Sequence, residues 1–144
     1  MSDKKPAHYA EKHPAAAGIA PKVRQGIQEK AAGGHMSCAA AHTLAGSLGV
    51  SPGEVGMGMD LMEVKISKCQ LGLFGYSPNK KIVKAPETCP PSIAEAVRAE
   101  VRDGRISCEA CWKIAGRLGA SRLDVSGVVE ALQLKVRPCQ LGAF

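Results

Sequence analysis

In the stretch PSIAEAVRAEVRDG, Ile93, Val97 and Val101 fall four residues apart, with arginine and glutamate between them. Apolar positions at this spacing predict a helix with one buried stripe, opened by Pro91 and stopped near Gly104. The short Arg105-Ile106-Ser107 that follows suits one brief strand. A second helix is predicted from Ser107 to Leu118, with Ile114, Ala115 and Leu118 on one side, and Gly119 then supplies the left-handed residue of a tight turn. Ser121 and Asp124 have the spacing of a capping box, which predicts a third helix ending near Leu132. The Lys135-Val136-Arg137 beyond it alternates like a strand.

The same order occurs earlier in the chain. Residues 37–74 lie over 107–144 without a gap, and 15 of those 38 positions are identical. Pro21, Val23 and Ile27 fall over Pro91, Ile93 and Val97, and Ser51, Pro52 and Glu54 open the earlier third helix. A repeat of this length suits two small compact domains rather than a solenoid. The boundaries read from the sequence are a flexible basic tail at 1–20, a first copy at 21–84, a linker at 85–90 and a second copy at 91–144. The fold class expected is mainly α with short β.

Helix, short strand, helix, glycine turn, helix, strand is the element order of a winged helix-turn-helix. Ala115, Gly119, Val125 and Val128, flanked by Ile114, Leu118 and Ala120, resemble the pattern of that DNA-binding superfamily. Ala45, Gly49 and Val55 repeat it in the first copy, which departs at Gly58, where a branched apolar residue is expected. That departure predicts a looser third helix, or one shifted onto Met59. The resemblance implies tandem winged helix-turn-helix domains. It also implies a wing at 76–84 in the first copy, looped around Ser77-Pro78-Asn79 with a strand at Lys81-Ile82-Val83. In the second copy, which reaches Phe144, the wing is expected to be missing or vestigial.

One phrase, Cys-Gln-Leu-Gly, closes both copies at residues 69–72 and 139–142. It reads as a structural joint. The last strand must return beside the strand preceding the second helix, which would bring Cys69 to Cys38 and Cys139 to Cys108, each pair inside its own domain.

The formal charge of +6 favours an acidic partner. Positive charge concentrates in the first 33 residues, in 76–90 and in the second copy. The resemblance therefore implies double-stranded DNA as partner, with the two copies acting as an intramolecular pseudo-dimer in transcriptional regulation. On the second copy's third helix, Arg122 is the strong candidate for reading base edges, beside Ser121 and Ser126. Lys113, Arg117 and Arg137 are candidates for phosphates, as are Lys80, Lys81 and Lys84 on the wing. The first copy's third helix exposes Pro52, Gly53, Glu54, Gly56 and Met57, none of which makes bidentate base contacts.

The cysteines offer a second chemistry. Cys108, Cys111 and Cys139, or Cys38, His42 and Cys69, have spacings that suit zinc or an iron–sulfur cluster. The two sets are not the same site, since Ala41 stands over Cys111 and His42 over Trp112. Packing as small apolar filler is the reading adopted, so no cofactor is expected. Phosphate-binding loops, nucleophile elbows and histidine–metal signatures are missing, so no enzyme is expected. No apolar run suits a signal peptide or a membrane span, which gives a cytoplasmic expectation with reduced thiols. The alternative function is a protein-interaction or metal/redox-responsive module, as homodimer or with another partner.

Overall fold

The computed structural model describes residues 18–77 and 80–143, which form six helices and four short strands. The elements are α1 (Pro21–Lys30), β1 (His35–Ser37), α2 (Cys38–Leu48), α3 (Pro52–Leu61) and β2 (Lys65–Ser67). They recur as α4 (Pro91–Glu100), β3 (Arg105–Ile106), α5 (Cys108–Leu118), α6 (Arg122–Ala131) and β4 (Lys135–Val136). Each element of the second set starts 70 residues after its counterpart, so the sequence repeat is also a repeat of local structure. The chain is mainly helical, and among the described residues no helix is long and apolar enough to cross a membrane. Most of the predicted tail, with His8 and His13, lies outside the described residues, as do Pro78, Asn79 and Phe144.

Local chemistry sets the boundaries. Ser37, Ser51, Ser107 and Ser121 each accept a hydrogen bond from the backbone N–H three residues on, which caps α2, α3, α5 and α6. Gly49 and Gly119 end α2 and α5 with left-handed φ of 68° and 65°, so a three-residue turn separates each second helix from the third. Helix α4 ends at Glu100, earlier than the apolar spacing predicts, and leaves Val101 extended. The cause is a tight turn at Asp103-Gly104, with φ of 53° and 74°. Such a turn needs extended residues on both sides, and Arg102 and Arg105 pair across it.

The returning strands lie where the sequence puts them. β1 pairs with β2, and β3 with β4. Both pairs are parallel, and the strand expected at Lys81–Val83 does not form. The amides of Ile82 and Val83 both donate to the Gly72 carbonyl instead of joining a ladder, and Val83 is buried. The wing is therefore corrected to an irregular segment.

The chain divides into two compact units, Met1–Ser67 and Lys68–Phe144. In the first, α1 buries Val23, Gly26 and Ile27, α2 buries Cys38, Ala41, Leu44 and Ala45, and α3 buries Val55, Gly56, Gly58 and Met59. Helix α3 is as long as α6 and keeps its register, contrary to the loosening expected at Gly58. In the second unit, Ile93, Val97, Cys108, Cys111, Ile114, Val125 and Val128 form the core together with Cys69 and Leu71. Residues 68–84, expected in the first copy, fall in the second unit, and Cys69, Leu71, Leu73 and Phe74 pack into or against this second core.

Candidate functional site

The repeated phrase is a plug. Leu71 and Leu141 are each 1% exposed, and the Gly72 and Gly142 amides donate back to the carbonyls of Cys69 and Cys139. Both glycines hold positive φ, 73° and 80°, which the turn requires. The glutamines between them do different things. Gln140 Nε2 donates to Cys108 Sγ at 3.4 Å, whereas Gln70 Oε1 accepts from Arg122 at 3.0 Å.

The expected return of Cys139 beside Cys108 is seen in the second copy. Cys108 N donates to the Pro138 carbonyl at 3.1 Å, so the segment bearing Cys139 returns to the start of α5. Cys69 packs in the core that holds Cys108. Burial pushes the Cys108 thiol up; hydrogen bonds from Gln140 oppose the rise, and Cys139 and Cys69 add to it. Burial, with a contribution from Cys108, pushes Cys111 up to about 12. Both are neutral thiols at physiological pH and therefore poor nucleophiles. Among the described residues no group of three or more His, Cys, Asp or Glu is placed to hold a metal ion.

The base-reading candidates fare differently from one another. Ser126 is 1% exposed, and its Oγ has no hydrogen-bond partner among the described residues. A β-carbon on the next residue, Gly127, would stand 2.8 Å from the Lys84 carbonyl oxygen, so the segment after Val83 runs directly across α6 there. Burial corrects Ser126 from a reading residue to a core residue. Ser121 is exposed, but its hydroxyl caps α6 by accepting from Asp124 N at 2.9 Å.

Arg122 is half-buried at the first position of α6. Its guanidinium lies 3.6 Å from the centroid of the Trp112 ring and donates to Gln70. These groups line a cavity of about 470 Å³ with Ala115, Gly116, Ala120, Ser121 and Leu123. The pair is peculiar to the second copy, because His42 and Pro52 stand at the corresponding positions of the first. The sequence held both halves of this contact, but α5 and α6 meet only in the folded unit.

The phosphate candidates are mostly free. Lys113 and Arg117 are exposed one turn apart on α5, and Lys80 and Lys84 are exposed. Lys81 is engaged by Glu130 at 2.9 Å.

Arg137, the remaining phosphate candidate, belongs to a set whose other members were missed. Arg102 pairs with Arg105 across the Asp103-Gly104 turn, Arg105 sits opposite Lys135 in the parallel sheet, and the Arg137 amide donates to the Ile106 carbonyl. Ile106 is buried and Val136 half-buried, while Arg102, Arg105, Lys135 and Arg137 are all exposed. Paired positions of a sheet share a face, so Arg102, Arg105 and Lys135 lie along one ladder, which Arg137 two residues past Lys135 continues. The Arg102 guanidinium also donates to the Ala99 and Val101 carbonyls, and Asp103 is the acid in the turn. Among the described residues Arg105, Lys135 and Arg137 have no ion-pair partner. The first unit has Ala32, His35, Lys65 and Ser67 at the same places. Only knowledge of the strand register would have brought these residues together.

Comparison with protein-family models, with curated proteins and with solved structures finds no match for the chain.

Proposed function

We propose that this protein binds double-stranded DNA through two tandem helix-turn-helix units, holds the duplex chiefly by its phosphates, and acts in transcriptional regulation. The observation that carries this reading is the exposed ladder of Arg102, Arg105, Lys135 and Arg137 on a chain of net charge +6. Closely spaced cations without carboxylate partners suit a polyanion, because each phosphate they neutralise releases a condensed counterion. Lys113, Arg117, Lys80 and Lys84 extend the exposed cationic surface of the second unit. The helix–turn–helix geometry at Gly49 and Gly119 supports the class, although α6 buries five consecutive residues from Val125 to Val129. Sequence reading from α6 is accordingly minor, and affinity rests on backbone contacts.

The test is a titration of a random duplex of about 30 base pairs, followed by anisotropy between about 50 and 200 mM salt. Binding with a steep negative salt slope is expected. Replacing Arg105, Lys135 and Arg137 together by glutamine should flatten that slope by about 2 to 3 in log–log units. Absence of binding at the lowest salt would defeat the proposal. It would leave the second reading, a protein-interaction module, which the exposed Leu118 and Leu123 beside the α5–α6 turn favour.

A further inference from the structure

We propose that the cavity beside Trp112 is a binding site for a small organic carboxylate with a flat apolar body. The proposal is independent of the DNA reading.

The site is an open cleft of about 470 Å³, large enough to take one small molecule against its walls. The lining is mixed in the way such a ligand needs. Trp112, Leu123, Ala115 and Ala120 supply apolar wall, while Gln70, Ser121 and Arg122 supply a few polar groups at one place. Aromatic and aliphatic walls with few convergent polar groups fix a ligand's orientation without soaking up its binding surface in water.

Arg122 decides the ligand's charge. A guanidinium carries five N–H donors, and one bond to Gln70 Oε1 is the hydrogen bond it makes among the described residues. It has no carboxylate partner among them. Its contact with the Trp112 ring holds the charge beside the cavity at 3.6 Å. A half-buried, pre-positioned arginine lacking a counter-ion, with donors to spare, matches the fork geometry of a carboxylate. Ser121 adds a hydroxyl whose oxygen is occupied by the α6 cap while its proton stays available.

The two copies differ where the site requires it. Ser51, Ala45 and Gly46 match Ser121, Ala115 and Gly116, so the scaffold is common to both. His42 and Pro52 remove the ring and the cation from the first copy. The aromatic–arginine pair is thus an addition to a shared frame rather than a requirement of it.

Trp112 is the single tryptophan of the chain, so its fluorescence reports on this cavity alone. The probe is benzoate, titrated into the full-length protein at constant ionic strength, with benzamide as its neutral isostere and acetate as the charge without the ring. Benzoate should perturb the emission saturably, with benzamide and acetate each about tenfold weaker or more. Arg122→Gln should weaken benzoate about tenfold, and Arg122→Lys should restore only part of it, because a point charge replaces the fork. Circular dichroism verifies that both variants are folded, and the comparison of benzoate with benzamide needs no variant. The proposal is overturned if benzoate gives no saturable change. Equal binding of benzoate and benzamide, or unchanged affinity in folded Arg122→Gln, overturns it as well.

Discussion

Ile27 fills the place that a side chain on Gly58 would need: a β-carbon built on the glycine lies 2.8 Å from Ile27 Cδ1 and 3.1 Å from Val23 Cγ1. The second unit solves the same packing problem with Val97 and Val128, both fully buried. The volume missing from α3 is thus supplied by the longer side chain on α1. Gly58→Val should overpack the first unit and cost about 1–3 kcal/mol in urea denaturation followed by circular dichroism. Adding Ile27→Val, which removes the offending methyl, should recover a large part of that loss. Additive effects of the two changes would show that the sites are not coupled.

Glycine plays a different part at Gly127. Its obstacle is the backbone oxygen of Lys84, which cannot rotate away as a side chain can. Gly127→Ala should therefore lower the thermal midpoint and detach the segment around Lys84. Gly46, in the last turn of α2, has nothing within 4 Å of its added β-carbon. Gly46→Ala should raise stability by about 0.5–1 kcal/mol through helix propensity alone. Opposite signs for the two alanines in one melting experiment are the expected outcome.

The contrast between these glycines marks what could be read from the sequence. Caps and turns were legible, because Ser107, Ser121 and Gly119 act on groups within a few residues of themselves. The returning strands were legible too, since the repeat constrained both copies. What escaped depends on contacts distant along the chain. Nothing local in Cys69-Gln70-Leu71 tells that it joins the core of Ile93 and Cys108. The close approach of residues 84–86 to Gly127 is one such contact, and the cationic ladder follows from a register between stretches 30 residues apart. The charge of Arg122 and its place on α6 are visible in the sequence, but its contact with Trp112 is not, since nothing local links the two residues.

Ser126 separates two forms of the proposed DNA binding, reading by α6 and holding by the ladder. Its hydroxyl is buried without a partner among the described residues, so Ser126→Ala removes an uncompensated polar group. The variant should be as stable as the parent, or more stable by about 1 kcal/mol. Its affinity for duplex DNA should be unchanged. A large loss of affinity in a folded Ser126→Ala protein would mean that α6 opens to meet the bases.

The buried thiols set an alkaline limit. Cys111 titrates at about 12 in the folded chain against an ordinary 9.0, and Cys108 is also raised, in both cases chiefly by burial. Below pH 9 both thiols are protonated whether the chain is folded or not, and their contribution is intact. Above it the unfolded chain loses protons that the folded chain keeps, so unfolding is favoured increasingly as the pH rises toward 12. Stability should therefore fall from about pH 9 upward. Cys111→Ala should lower stability at neutral pH by leaving a small void, yet make the alkaline decline shallower by close to one proton. Urea midpoints collected between neutral pH and about pH 11 measure both effects, and an equally steep decline in the variant would place the titrating group elsewhere.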